Sequence, residues 1–310
     1  MKEFFRLIRL PNLIVIALFQ CLLRYAYIIP NLTEENVAHT LPTYLFILTI
    51  ISSVCLAAGG NAINDYFDIK TDRINRPQTI VVDKTIDRRS VLLTHVLLTL
   101  VGLFAGLYVS FVLRKAALML TFIAVPILLW FYSTHFKKQI LVGNIVVALL
   151  VALSGYLVVC VEYAAIDRSA RHIITDDEPF STIWYVVCAY CTFAFAANLA
   201  REIIKDMEDI EGDSQTRCHT LAVELGCDYS KIVVYAVLTA VLLCIGAALW
   251  QFIPDMHNKV LLAYVGTFIF LPTFYLIFVV ARAKSKKDFH KASTISKVIM
   301  LLGVLSLLLI

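Results

Sequence analysis

Nine apolar stretches, each long enough to cross a bilayer as a helix, constrain this chain more than any other feature. They fall at roughly 10–29, 41–63, 91–111, 116–133, 140–161, 182–200, 232–252, 260–281 and 294–310. About 30 Å of hydrocarbon takes roughly 20 helical residues to cross. The expected fold is therefore all-α, a polytopic membrane protein of nine transmembrane helices around a central cavity, with residues 1–310 forming a single membrane domain. Composition agrees, with 60% apolar and 16% charged residues, where a soluble domain carries about 25% charge.

Other classes drop out quickly. A net charge of +4 is too small for a nucleic-acid partner. The eight cysteines mostly sit inside apolar runs as small core residues, and Cys188-x-x-Cys191 has no second pair with which to bind metal. Lys2, Arg6 and Arg9 followed by an apolar run could pass for a secretory signal. No small-residue cleavage site follows Arg24, Tyr25 and Tyr27, so this segment reads as a retained first span.

Orientation comes from the distribution of Lys and Arg. With the amino terminus inside, the inner segments hold 21 of them and the outer segments 5, namely Arg114, Lys115, Arg168, Arg171 and Lys259. Arg24, near the outer end of span one, is expected to snorkel outward. The outer loops are short or acidic, as in 31–40 and the stretch 162–180 with Asp176, Asp177 and Glu178.

Charge is concentrated in two inner segments. Of the 50 charged residues, 23 fall within 64–90 and 201–231, with local balances of +1 and −4. The first contains Asn61-Ala-Ile-Asn64-Asp65-Tyr-Phe-Asp68-Ile-Lys-Thr-Asp72-Arg73, and the second Arg201-Glu202-Ile-Ile-Lys205-Asp206-Met-Glu-Asp209-Ile-Glu-Gly-Asp213. Both contain D-x-x-D-I-x-x-D, repeated after an interval of 141 residues. Offsets of i, i+3 and i+7 place three carboxylates on one helical face, with neighbours about 5–6 Å apart. Like charges so placed repel unless a cation lies between them. Mg²⁺ suits them, because it takes one or two carboxylates and fills its other positions with water and phosphate oxygens. Two acidic faces following spans two and six lie on the same side of the membrane and suggest a diphosphate clamped through metal. Arg73, Arg201, Lys205 and Lys138 are the candidate cationic contacts to that diphosphate, Lys138 and Arg73 being preferred. The bland alternative is a pair of solvated loops, but carboxylates adjoining membrane helices are costly and usually functional.

These motifs resemble those of the UbiA superfamily of intramembrane prenyltransferases, N-D-x-x-D-x-x-x-D and D-x-x-[DY]-x-x-x-D. The resemblance extends over nearly the whole chain, and the wording around both motifs is most similar to the geranylgeranylglycerol-phosphate geranylgeranyltransferase branch. It implies that Asn64, Asp68 and Asp72 face one Mg²⁺ and Asp209 and Asp213 another, with Asp65 and Asp206 in support. Asn61 matches a recurrent family asparagine. The stretch 78–87 departs from the family's frequent R-P-[IL]-P-S-G continuation.

The implied reaction is Mg²⁺-dependent transfer of a polyprenyl group from an allylic polyprenyl diphosphate to a small or lipid acceptor, with membrane lipids as surroundings. An aromatic acceptor of quinone biosynthesis is the alternative. Tyr66, Phe67, Tyr132 and Phe195 could shield a carbocation, or serve only packing. A transporter would place its acids near mid-membrane, whereas these lie at span ends. A CDP-alcohol phosphotransferase would carry D-G-x-x-A-R, which is absent.

Overall fold

The computed structural model describes residues 1–34, 41–78, 80–170, 178–252 and 259–310. Asp176, Asp177, Arg171 and most of the 31–40 loop lie outside the described residues. In chain order the helices are α1 (Lys2–Leu7), α2 (Leu10–Leu22), α3 (Ile29–Glu34), α4 (Thr43–Phe67), α5 (Ile69–Asn75), α6 (Arg88–Leu113), α7 (Ala116–Thr134), α8 (Val142–Ala170), α9 (Glu178–Gln215), α10 (Leu221–Phe252), α11 (Lys259–Tyr264), α12 (Leu271–Arg282) and α13 (Lys286–Leu305). π-helical turns at Leu23–Ile28 and Val265–Phe270 continue α2 into α3 and α11 into α12.

Among the described residues, nine helical stretches are long and apolar enough to cross a membrane, as the apolar runs require. Three of their ends differ from the expected ones. The sixth runs to Gln215, the seventh starts at Leu221 and the ninth at Lys286. At these three ends helix extends beyond the apolar run into charged sequence. The stop at the start of α13 is chemical: Ser285 and Asp288 form a reciprocal capping box.

The helices group into two compact units, Met1–Phe136 with Leu153–Cys188, and Lys137–Ala152 with Ala189–Ile310. In the first, α4 and α6 approach closely because small residues line their contact, the arrangement that lets helices associate without a hydrophobic drive. Ser52 Oγ donates to the Gly102 carbonyl at 2.7 Å, and His95 Nδ1 lies 2.9 Å from the Gly59 carbonyl. A Cβ on Gly106 would run into the fully buried Phe122 ring and come within 2.8 Å of Ser52 Oγ. Gly106→Ala is expected to destabilise the purified protein by about 1–3 kcal/mol, read as a lowered thermal midpoint in detergent.

Arg24 departs from expectation. It lies in the first π-helical turn, 1% exposed, and forms an ion pair with the equally buried Glu162 of α8. Its guanidinium also donates to the Leu41 carbonyl at 2.7 Å and stands 4.5 Å from the Phe46 ring centroid. Arg24 therefore does not snorkel, because a carboxylate, a carbonyl and an aromatic face satisfy it inside the unit. Glu162 is correspondingly a helix-interior residue rather than part of an outer loop. Lys115, an exception to the charge count, pairs with Asp167.

The 78–87 connection leads to α6 through Asp87, which caps that helix by accepting from Ser90 Oγ at 2.7 Å and Ser90 N at 3.0 Å. Those hydrogen bonds hold its carboxyl below the usual range.

The second unit has its core on α9, α10, α12 and α13, around Ile203, Met207, Leu238, Leu276, Phe289 and Ile299. Gly303 of α13 leaves room for the Phe193 ring of α9. Gly226 interrupts α10 at φ 83°, ψ 167°, a backbone position that favours glycine. None of the eight cysteines forms a disulfide among the described residues.

Candidate active-site motifs

The first motif does not ride on one uninterrupted helix. α4 ends at Phe67, Asp68 takes φ −86°, ψ 1°, and α5 begins at Ile69. The expectation of three carboxylates on one helical face is therefore corrected here. A local side-chain bond competes with regular helix at this point, as Asn64 Nδ2 donates to Asp68 Oδ2 at 2.7 Å. Backbone bonds from Asp68 N to Asn64 O (3.0 Å) and from Asp72 N to Asp68 O (2.8 Å) still carry the chain from one helix to the next.

The amino-terminal turn is fastened to this motif. Arg9 Nη2 meets Asp65 Oδ1 at 2.9 Å, and Asn61 Nδ2 donates to the Ile8 carbonyl at 2.9 Å. Asn61, expected near substrate, thus has a structural bond to backbone. Arg73 is 60% exposed and lies 3.5 Å from Asp83, which also receives Arg88 at 2.6 Å.

The second motif lies on unbroken helix, the last turns of α9. Asn144 Nδ2, from the start of α8, donates to Asp206 Oδ2 at 2.8 Å. Asp213 is buried, and its carbonyl accepts from Cys218 N at 2.9 Å. Two candidate cations meet Glu202, Arg201 at 2.6 Å and Lys205 at 3.8 Å. Arg201 Nε and Asn198 Nδ2 remain buried donors with no hydrogen-bond partner among the described residues. The side chain of Lys138 is exposed, while its carbonyl accepts from His219 N at 3.0 Å. That bond ties the Lys138 turn to the chain just after the second motif. On another face of α9, Glu208 Oε1 lies 3.0 Å from His290 Nδ1 of α13.

Sequence reasoning missed Asn144, Glu202 and Arg9. Asn144 had a signal, a carboxamide at the head of an apolar span. Arg9 registered only as a topological charge. The aromatic candidates favour packing for Tyr66 and Phe67, which meet edge to face at 5.3 Å, with Phe67 continuing to Trp130 at 5.8 Å. Tyr132 and Phe195 are half-buried.

The donor set suits a hard cation. Asn64 Oδ1 is buried and accepts no hydrogen bond among the described residues, which leaves a carboxamide oxygen beside the Asp68 carboxylate. Among the described residues, no three His, Cys, Asp or Glu side chains gather into a metal cage. Mg²⁺ does not need one, since it is held by one or two protein ligands together with substrate phosphate oxygens and water.

The sequence profile described as the UbiA prenyltransferase family matches residues 36–302. Digeranylgeranylglyceryl phosphate synthase of Methanosphaera stadtmanae is 31% identical over 265 residues, covering 83% of this chain and 85% of that protein. The enzyme of the same name from Thermococcus gammatolerans is 30% identical, covering 86% and 84%. Among solved structures, a UbiA homologue from Aeropyrum pernix superposes with a TM-score of 0.61 at 14% identity, covering 96% of this chain and 95% of that one. A homologue from Archaeoglobus fulgidus bound to GPP and Mg²⁺ gives 0.58 at 16%, covering 98% and 99%.

Proposed function

Because the chain belongs to the UbiA prenyltransferase family, we propose that it transfers a polyprenyl group, with Mg²⁺, from an allylic polyprenyl diphosphate to a geranylgeranylglyceryl phosphate-type acceptor. The chain is an integral membrane protein. The relatives' shared name supports the acceptor class, since their product is a glyceryl phosphate carrying two geranylgeranyl groups. The observation that carries the metal requirement is the buried Asn64 Oδ1, without a hydrogen-bond partner among the described residues and next to Asp68. The 21 to 5 bias of basic residues supports a cytoplasmic amino terminus and cytoplasmic motifs.

In this reading Asn64, Asp68 and Asp72 offer oxygen ligands at the first motif, and Asp209 and Asp213 at the second. Bound Mg²⁺ supplies Lewis acidity that stabilises the charge developing on the leaving diphosphate. Asp65 is steadied by Arg9, and Asp206 by Asn144. The buried Arg201 Nε–H, without a hydrogen-bond partner among the described residues, would be available to a phosphate oxygen, and Lys205, Lys138 and Arg73 would add positive charge. The allylic C1–O bond breaks with its electron pair leaving on diphosphate. The acceptor hydroxyl oxygen then bonds C1 and loses its proton. Apolar helices hold the prenyl tail and exclude the water that would capture the cation.

The test is purified protein with labelled geranylgeranyl diphosphate and a panel of acceptors, assayed with Mg²⁺, with chelator, and after Mg²⁺ is restored. Geranylgeranylglyceryl phosphate is expected to be alkylated only when Mg²⁺ is present. Alkylation of a naphthoate or hydroxybenzoate but not of the glyceryl phosphate would overturn the acceptor assignment.

A further inference from the structure

The connection from α12 to α13 contains a cavity of about 190 Å³ that neither acidic motif uses, lined in part by Tyr275, Phe278, Arg282, Asp288 and Lys291. One side is cationic. Arg282 and Lys291 are exposed, and among the described residues neither is ion-paired with a carboxylate. The acid in the lining, Asp288, is occupied in capping α13, accepting from Ser285 Oγ at 2.8 Å, Ser285 N at 2.9 Å and Lys284 N at 3.1 Å. Lys284 of the connection and Lys286 and Lys287 in the first turn of α13 extend the positive charge beside it.

The other side is aromatic. Tyr275 and Phe278 are about half exposed, at 48% and 47%, on a helix otherwise built for hydrocarbon. Arg282 lies 4.1 Å from the Phe278 ring centroid, so its guanidinium is held over an apolar face with its donors directed elsewhere. Charge that served only to orient the chain would need no cavity. A site for a free anion would gain nothing from exposed aromatic walls at a membrane span end. Together, basic donors and aromatic wall match an amphiphile with a phosphate at its head.

We propose that this cavity binds the phosphate headgroup of an anionic membrane lipid, the phosphate against Arg282 and Lys291 and the chains along Tyr275 and Phe278. The site goes beyond the transfer reaction and does not depend on it. α13 also carries His290, which contacts Glu208 between Asp206 and Asp209, so an occupied headgroup site would be one residue from a direct contact to the second-motif helix.

Native mass spectrometry of the delipidated full chain tests this, with dioleoyl phosphatidic acid, dioleoyl phosphatidylcholine, glycerol phosphate and inorganic phosphate as probes. Phosphatidic acid is expected to bind at least about tenfold more tightly than phosphatidylcholine. The double variant Arg282→Gln/Lys291→Gln is expected to weaken it about 30-fold, from two surface cations' contribution. Lys286→Gln/Lys287→Gln removes the same charge from the first turn of α13 and is expected to weaken it less than about threefold, whereas Arg282→Lys/Lys291→Arg keeps binding. If the first double variant does not fold by thermal melt, the exposed single variant Lys291→Gln carries the comparison. Equal weakening by the two neutralising pairs, phosphatidylcholine binding as tightly as phosphatidic acid, or inorganic phosphate or glycerol phosphate binding as tightly as the lipid would each overturn the proposal.

Discussion

Asp68→Asn and Asp209→Asn are each expected to lower the turnover of prenyl transfer by about 10²–10³-fold, the cost of removing one preorganised group that stabilises developing charge. Asparagine keeps the volume and one oxygen of the side chain. At position 68 it can still accept from Asn64 Nδ2, so the loss isolates charge from shape. The melting temperature should move little, because neither substitution opens a cavity. Asp228→Asn supplies the control. Asp228 is 98% exposed beside Lys231 and outside both motifs, and its variant should stay within about twofold of the parent. Turnover unchanged in either motif variant would remove that carboxylate from the metal chemistry. Mg²⁺ titration of each variant provides a second readout, with the expected loss in apparent metal affinity as well as rate.

The second large effect is structural. Glu162→Gln leaves the Arg24 guanidinium buried without its counter-charge and is expected to destabilise the protein by about 3–5 kcal/mol. Removing both charges should be much milder, because an apolar pair of similar volume often replaces a buried ion pair at little or no cost. Arg24→Met/Glu162→Leu is therefore expected to recover most of the loss. About 1 kcal/mol would remain for the Leu41 carbonyl deprived of its donor. Equilibrium unfolding in mixed micelles checks the sequence of three proteins. A Glu162→Gln cost below about 1 kcal/mol, or a double variant as unstable as the single one, would show that the pair is not held as its burial implies.

The number and identity of the spans were legible because each rests on a local property, an apolar run of sufficient length. The two acidic motifs were legible for the same reason, since their repeated spacing is written in consecutive residues. What escaped depends on packing. Asn144 reaches Asp206 across 62 positions and Arg9 reaches Asp65 across 56, and no local pattern announces either pair. Arg24 was misplaced because its distance from the span end was counted in α-helical steps. Its partner is 138 positions away, and the turn that carries it is not α-helical. The break at Asp68 was hidden similarly, because spacing describes a helix only where the backbone stays one.

The two π-helical turns, Leu23–Ile28 and Val265–Phe270, have a consequence for how this chain tolerates change in length. A turn of this kind is a surplus residue folded into a helix. Excising one residue, Ala26 for instance, would let the turn relax into ordinary helix with both flanks keeping their faces, whereas inserting one more would swing one flank against the other by about 100°. Gln20, with its donor shared between Ser53 and the Ser154 carbonyl, and Leu32, fully buried, lie on opposite flanks and could not both keep their places. Span one should therefore accept exchanges among apolar residues, and the loss of one residue at this turn, while rejecting a single-residue insertion. Hydropathy would be almost blind to the difference, because what is inherited there is phase.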